Sequence, residues 1–204
     1  MARYNKTNDG SSGRVGNIVT YQMYGKSYMR SLPGQYKDRK SEAQLAQRQK
    51  MKLINDFLSP YSDVIRMTFK NEAIGRSAFM AAKSYNMLNA VIGEYPDQTI
   101  DCSKALVSKG SVPLPKQASA ERHESDLLFK WTVDDQQSAF DTLMLIANQR
   151  GQYSTLFKQS GAERQDGSFV WKADLSPQEK YDIWLVFRDD KERGFSNSLW
   201  LGLL

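Results

Sequence analysis

The last third of the chain alternates apolar and polar side chains in short runs, and this pattern limits the fold more than any other feature. The runs occupy residues 127–133, 143–147, 153–157, 169–171, 181–188 and 198–204. Gly151, Gly161 and the Asp166-Gly167 pair mark turns between them. Short strands at regular spacing with turns between them are typical of an antiparallel β-sandwich. The sequence therefore predicts a sandwich over residues 96–204.

Residues 1–36 predict a basic arm followed by a β-hairpin. The first 13 residues are rich in Asn, Ser and Gly, and such a segment cannot bury enough apolar surface to order itself. Aromatic and β-branched residues then flank Gly25 on both sides, and a glycine supplies the positive φ that a tight turn needs. An isolated two-stranded hairpin is marginal in water. The hairpin is therefore expected to pack on another part of the chain or on another chain.

Residues 37–95 predict a helical module. Apolar side chains recur at helical spacing over residues 41–58, 61–69 and 77–92. Ser77 is the predicted N-cap of the third helix, whose apolar face is expected to run on to Ile92. Asn86 lies inside that helix despite its poor helix propensity, and it is predicted to be exposed or partly exposed. Three short helices form little core alone, so they are expected to share one with the hairpin or the sandwich.

The net charge of +5 is distributed unevenly along the chain. Residues 1–52 hold 11 Lys and Arg against 3 Asp and Glu, whereas residues 53–204 hold 17 against 20. Such asymmetry favours an acidic partner for the basic end: nucleic acid, an anionic membrane surface or an acidic protein face. The simpler interpretation is a solvated end, since no block of five or six like charges occurs.

Tyrosines and basic residues interleave in and after the hairpin, and they are the candidate binding residues of the chain. Aromatic rings can stack on bases while cations follow phosphates, but tyrosines are also good strand residues in their own right. Both interpretations stay open, because no known nucleic-acid motif accompanies the pattern. The candidate binding residues are Arg14, Tyr21, Tyr24, Lys26, Tyr28, Arg30, Tyr36, Lys37, Arg39 and Lys40.

The chemistry-bearing residues form no catalytic pattern, and the sequence predicts that the protein is not an enzyme. The one histidine, His123, lies in a charged run that predicts a solvated loop, and Cys102 is expected to be a partly buried, inert thiol. No metal-ligand spacing, phosphate-binding loop or dinucleotide fingerprint occurs. The acidic pairs at residues 134–135 and 189–190 are interpreted as turns rather than as calcium ligands. We therefore expect no cofactor, no metal and no small-molecule substrate.

Composition also bears on where the chain is expected to act. No apolar run approaches the roughly 18 residues of a transmembrane helix. The first residues are basic but are not followed by the apolar segment of a secretory signal. A single cysteine allows no intrachain disulfide. We therefore expect a cytoplasmic protein without a membrane span, or one that is incorporated into a virion or another assembly.

Three features of the sandwich region match a known domain family. A corner at residues 175–177 precedes Tyr181, residues 194–198 form a serine-rich entry to the last strand, and Trp131 has the place of a strand B tryptophan. Together they resemble a fibronectin type III or related immunoglobulin-like domain. The resemblance implies an antiparallel fibronectin type III-like sandwich. Together with the N-terminal β-hairpin and short helices predicted above, it gives an α+β fold class. It implies no ligand.

Seven further segments are spread over nearly the whole chain, at residues 1–6, 13–16, 28–33, 42–48, 84–86, 95–97 and 196–198. They resemble an uncharacterised family of Bacteroidota proteins, a domain of unknown function. The resemblance implies a basic amino-terminal module plus a sandwich. It implies neither an activity nor site residues.

These observations predict a non-enzymatic structural or interaction protein that docks through its basic N-terminal arm in a larger assembly. The exposed hairpin and basic arm favour a protein partner or self-assembly, and parts of this kind occur in phage or injection machines. The alternative is a nucleic-acid-binding protein that uses the Arg, Lys and Tyr residues of the N-terminal region.

Overall fold

The chain forms two compact units, Met1–Ser41 and Glu42–Leu204. The structure is a computed structural model that describes residues 2–3, 12–35, 37–134, 138–153, 155–191 and 194–204. Among these residues no helix is both long and apolar enough to cross a membrane. The division into three modules at residues 36 and 95 stays a prediction. Most of the predicted N-terminal arm, residues 4–11, lies outside the described residues.

The N-terminal unit is an antiparallel sheet with the predicted hairpin at its centre. Its described strands are β1 (Ala2–Arg3), β2 (Gly13–Val15), β3 (Ile18–Met23) and β4 (Lys26–Ser31). They lie in the order β1-β4-β3-β2. Tyr24 and Gly25 join β3 to β4, and both have a positive φ, 51° and 71°, as a two-residue type I′ turn requires. The predicted turn is confirmed, and two short outer strands are added to the hairpin.

Helices open the second unit close to the predicted positions. They are α1 (Glu42–Leu58), α2 (Ser62–Thr68) and α3 (Ala78–Asn89). Ser77 caps α3, since its Oγ accepts a hydrogen bond from the N–H of Met80 at 3.2 Å. The prediction that this helix continues to residue 92 is wrong. The residues after Asn89 instead form strand β5 (Val91–Ile92), which pairs with β6 (Thr99–Ile100).

Asn86 of α3 is completely buried, and the prediction that it is exposed is wrong. Its Nδ2 donates to the carbonyl oxygens of Ala82 and Leu106, and its Oδ1 accepts from the N–H of Leu106, each at 2.9 Å. An Asn amide carries a donor and an acceptor side by side, so it pairs with a peptide group as a neighbouring strand would. Tertiary hydrogen bonding here overrides helix propensity.

The sandwich that follows consists of two antiparallel sheets. Its described strands are β7 (Ala118–His123), β8 (Asp126–Trp131), β9 (Thr142–Gln149), β10 (Thr155–Glu163), β11 (Ser168–Trp171), β12 (Tyr181–Arg188) and β13 (Leu199–Leu203). The sheets have the orders β11-β8-β7 and β10-β9-β12-β13. When the seven strands are lettered A, B, C, C′, E, F and G along the chain, the two sheets have the orders E-B-A and C′-C-F-G. This is the strand connectivity of a fibronectin type III domain, and the predicted α+β fold class is confirmed.

Two contacts reproduce the features on which the resemblance was based. The hydroxyl of Tyr181 accepts a hydrogen bond from the backbone N–H of Ser176 at 3.4 Å, as in the tyrosine corner of immunoglobulin-like domains. Trp131 of β8 packs edge to face on Phe187 of β12, with ring centroids 5.8 Å apart. The corner residues and the strand B tryptophan therefore hold the positions that the sequence predicted.

Strand β7 is the strand of the sandwich that the sequence analysis missed. The prediction of a solvated loop around His123 is wrong, because residues 118–123 pair with β8 at the edge of the three-stranded sheet. Ala118 and Ala120 are its contributions to the core. Edge strands are half exposed and tolerate charged residues on the outer side. The apolar signal of such a strand is therefore weak.

The four-stranded sheet is buried on both faces, so the second unit has three layers. Towards the three-stranded sheet it presents Leu143, Leu145, Ile183, Leu185 and Phe187. Towards the helices it presents Met144, Ile146, Trp184 and Val186. The two sets alternate along β9 and β12, since successive strand residues point to opposite faces. Ile54 of α1 and Ile65 of α2 lie in the same core as the second set. The helices thus share a core with the sandwich, as expected.

Candidate functional site

One face of the N-terminal sheet collects residues that are scattered in the sequence. Strand register places Val19 opposite both Arg14 and Arg30. The same register pairs Tyr21 with Tyr28 and Met23 with Lys26. Directly opposite residues share a face, as do residues two apart in a strand. The tyrosine face, as we name it, consists of Arg14, Val19, Tyr21, Met23, Lys26, Tyr28 and Arg30.

The two tyrosines form the centre of this face. Their rings are stacked across the strands, with centroids 5.5 Å apart and planes 19° apart. Both side chains are half-buried, whereas Arg14, Lys26 and Arg30 are exposed around them. Cross-strand aromatic pairs stabilise a sheet by about 0.2–1 kcal/mol. The pair therefore has a structural role in the sheet.

Every charge in the central part of this unit is positive. Residues 12–37 contain four Lys and Arg and no Asp or Glu. Three of these cations, Arg14, Lys26 and Arg30, are on the tyrosine face. A surface with charges of one sign raises the local concentration of oppositely charged groups. The charge of the tyrosine face therefore favours anionic groups over cationic ones.

The opposite face of the sheet carries no charge. This neutral face consists of Val15, Ile18, Thr20, Gln22, Ser27, Met29 and Ser31. Val15 is 80% exposed and Ile18 is 45% exposed. All buried apolar side chains among the described residues belong to the second unit, residues 42–204. The N-terminal sheet therefore lacks an apolar core of its own in the part of the chain that the structure describes.

The structure brings together five of the ten predicted binding residues, and they are Arg14, Tyr21, Lys26, Tyr28 and Arg30. Tyr24 lies in the turn and is 50% exposed. Lys37, Arg39 and Lys40 follow β4 in an exposed segment without regular structure, so their membership of the same site stays a prediction. Tyr36 lies outside the described residues.

The two residues considered for nucleophilic chemistry have surroundings unsuited to it. His123 is 65% exposed, and its Nε2 lies 3.8 Å from a carboxylate oxygen of Glu121. Cys102 is half-buried, and burial, with the nearby Asp182 carboxylate, raises the pKa of its thiol to about 11. The thiolate is the reactive form of cysteine, so this thiol is a poor nucleophile at neutral pH.

Three carboxylates come together at one end of the sandwich. Oxygens of Asp141, Asp189 and Asp190 lie within 4.8 Å of one another. Asp141 is buried and accepts from Nε and Nη2 of the fully buried Arg164, at 3.2 and 3.0 Å. The guanidinium also lies 4.0 Å from the centroid of the Phe187 ring. An internal ion pair thus explains the position of Asp141, and the prediction that the protein holds no metal stays a prediction.

The second unit also contains a cleft that the sequence analysis did not find. The cleft has a volume of about 350 Å³ and is lined by residues of α1, of the turn after β9 and of β12. Arg150 donates to both carboxylate oxygens of Asp182, at 3.1 and 2.7 Å, and these hydrogen bonds raise the pKa of the guanidinium. Tyr61 accepts from Nε1 of Trp184 at 3.2 Å, and burial raises the pKa of its hydroxyl. The lining residues come from separate segments, so no sequence motif marks the cleft.

The model of one protein family matches nearly the whole chain. It is described as a family of unknown function, DUF6266, and it matches residues 10–202. No curated protein matches the chain. Among solved structures, a two-fibronectin type III domain segment from chicken tenascin matches with 13% sequence identity and a TM-score of 0.37. That match covers 56% of this chain and 60% of the tenascin segment.

Proposed function

The chain belongs to the DUF6266 family of unknown function, and we propose that it is a non-enzymatic interaction protein that docks in a larger assembly through its N-terminal sheet. The fibronectin type III-like sandwich and its helices form the platform that carries this sheet. A phage particle or an injection machine is the kind of assembly that we propose. The partner is a protein, either a second copy of this chain or another subunit.

One observation carries the proposal: the N-terminal sheet buries no apolar side chain among its described residues. Ordering a backbone costs about 1–2 kcal/mol per residue. Burial of one Val or Ile side chain returns about 1.5–3 kcal/mol. A sheet whose Val15 is 80% exposed and whose Ile18 is 45% exposed has gained only part of this stabilisation. A protein partner that covers the neutral face supplies it.

The neutral face has the composition of a protein interface rather than of a solvated surface. Its apolar side chains, Val15, Ile18 and Met29, are surrounded by uncharged Thr, Gln and Ser. Charged residues are depleted in the central part of interfaces, where desolvation is complete. The partner surface is therefore expected to be apolar and uncharged.

Site-specific photo-cross-linking tests the proposal on the full-length protein. A photoreactive residue in place of Ile18 is expected to capture one discrete partner, either a second copy or another subunit, in extracts of the source cells. The matched control carries the same residue at Val170, an apolar side chain of the sandwich that is 52% exposed. Equal capture at the two positions, or capture at neither, would contradict the proposal.

A single substitution on the neutral face gives the complementary test. Ile18→Ser removes apolar area from the interface. Because Ile18 is 45% exposed, a partner can bury only about half of the side chain, so about half of the roughly 1.5–3 kcal/mol for complete burial is lost and association is expected to weaken about three- to tenfold. Val170→Ser is the control and is expected to leave association unchanged. Sedimentation velocity with the captured partner, or with the protein alone if it self-associates, measures the effect. Unchanged association of the Ile18→Ser variant would count against docking through this face.

A further inference from the structure

We propose that the tyrosine face binds a single strand of nucleic acid. Bases stack on Tyr21 and Tyr28, while phosphates lie at Arg14, Lys26 and Arg30. The inference rests on the proposed function only in treating the N-terminal sheet as a docking unit. It concerns the face opposite to the one that docks on protein. The two faces can therefore be tested separately.

The charge of the face selects the class of partner. Residues 12–37 hold only positive charges, and Arg14, Lys26 and Arg30 are exposed around the tyrosine pair. Neutralising phosphates with Lys and Arg releases condensed counterions, and this release drives sequence-independent binding of nucleic acids. No carboxylate within residues 12–37 competes for these cations. An anionic strand is thus the partner with complementary charge.

The spacing of the side chains suits an extended strand. Lys26, Tyr28 and Arg30 alternate along β4, so cation, ring and cation follow one another at steps of about 6.8 Å. Arg14 lies on the second strand from Arg30, about 10 Å away across the sheet. The register places Arg14 and Arg30 in the row on one side of the tyrosine pair and Lys26 in the row on the other side. A backbone that runs along β4 therefore meets a positive charge before and after Tyr28.

The aromatic pair distinguishes a single strand from a duplex and from an acidic protein. Base stacking on an aromatic side chain requires an unpaired base, and it tolerates any sequence because every base has a flat π-face. In other proteins a four-stranded sheet with aromatic residues on one face is used to stack two or three RNA bases. Tyr21 and Tyr28 are held nearly parallel before any ligand arrives. Little reorganisation is then needed on binding.

Fluorescence anisotropy with the full-length protein tests the proposal. The probes are fluorescein-labelled oligothymidylate and oligouridylate of about 15 nucleotides, in the range of site sizes of single-strand-binding folds. Three phosphate contacts predict a salt slope of about −2, so affinity should fall about 20-fold from about 50 to about 200 mM salt. Unlabelled single strands should displace the probe, whereas a duplex of the same length and polyglutamate should displace it poorly.

Variants of the two faces separate stacking from charge. Tyr28→Ala is expected to weaken binding on the order of tenfold, and Tyr28→Phe to retain it, because the ring is kept. Arg30→Gln should weaken binding and make the salt slope shallower by about 0.7. Gln22→Ala on the neutral face is the matched control and should have no effect on binding.

Three results would overturn the inference. They are an absence of binding at about 50 mM salt, equal affinity of the Tyr28→Ala variant, and displacement by polyglutamate as effective as by single strands. The last result would identify an acidic protein as the partner. None of them affects the cross-linking test at Ile18, so failure of this inference is distinguishable from failure of the proposed docking function.

Discussion

Replacement of Asn86 by Ala is expected to destabilise the second unit by about 3–4 kcal/mol. The side chain is completely buried, and Leu106 depends on it for both its N–H and its C=O. An orphaned buried polar group costs about 1–3 kcal/mol, and two are created here. The bond to the carbonyl oxygen of Ala82 adds little, because a helical carbonyl also accepts from the backbone N–H four residues later. The better helix propensity of Ala returns about 0.5 kcal/mol.

Urea unfolding followed by tryptophan fluorescence measures this change. All four tryptophans lie between residues 131 and 200, so the signal reports on the second unit, and Trp184 lies in the core that the helices share. For a unit of this size the loss corresponds to a fall in Tm of about 10 °C. A circular dichroism melt gives an independent reading of the same quantity.

Asn89 provides the matched control in the same helix. It is exposed, and its Nδ2 donates to the carbonyl oxygen of Tyr85 at 2.7 Å. Asn89→Ala is expected to change the free energy of unfolding by less than about 0.5 kcal/mol, as most surface substitutions do. If Asn86→Ala and Asn89→Ala have the same effect within about 0.5 kcal/mol, the backbone-pairing role of Asn86 is refuted.

Three further predictions concern other parts of the second unit. Arg164→Met leaves the buried Asp141 carboxylate unpaired and should lower the free energy of unfolding by about 3–5 kcal/mol in urea titrations. Gly110→Ala should destabilise the fold by more than about 2 kcal/mol in the same assay, because its Cβ would lie within 2.0 Å of the carbonyl oxygen of Phe195. Alkylation of Cys102 by iodoacetamide, followed by mass spectrometry, should be about a hundredfold slower at pH 8 than for a free thiol, since its pKa is raised to about 11. Because this pKa is raised in the folded state, the associated stability is complete below about pH 9 and falls as the pH approaches 11.

Each of these has a control within the same chain. The double variant Arg164→Met with Asp141→Leu should recover part of the lost stability, because no unpaired charge remains. Gly194→Ala should be tolerated, since the nearest atom to its Cβ, Nδ2 of Asn71, would lie at an ordinary contact distance of 3.7 Å. Cys102 in urea should react at the rate of a free thiol. The first prediction would be contradicted if the single and double Arg164 variants were equally stable, and the second if the two glycine variants were equally stable. The third would be contradicted if Cys102 were alkylated at the same rate in the native and the unfolded protein.

The tyrosine face illustrates how far sequence reasoning reaches at this site. The residues were found from composition, as tyrosines among Lys and Arg. Their division into two faces depends on register, and register follows from the two-residue turn at Tyr24 and Gly25. Counting outwards from that turn pairs Met23 with Lys26 and Tyr21 with Tyr28. The face was therefore accessible from the sequence once the turn type was assigned.

Other features were beyond the reach of local patterns for physical reasons. The burial of Asn86 depends on its hydrogen bonds to Leu106, which lies 20 residues further along the chain. Helix propensity is a local property and does not include such a distant partner. Strand β7 is an edge strand whose outer side is charged, so its alternation is carried by two alanines. The cleft beside Arg150 and Asp182 is assembled from separate segments. In each case the deciding interaction is long-range.

The three-layer arrangement of the second unit also determines how this protein can be divided. A fragment that begins at residue 96 contains every sandwich strand, yet it would expose the apolar side chains of the four-stranded sheet that α1 and α2 normally cover. Exposed apolar patches of this kind lead to aggregation. A fragment that begins at residue 42 keeps both cores intact. A piece of this chain that keeps both cores therefore begins at a helix and not at the first sandwich strand.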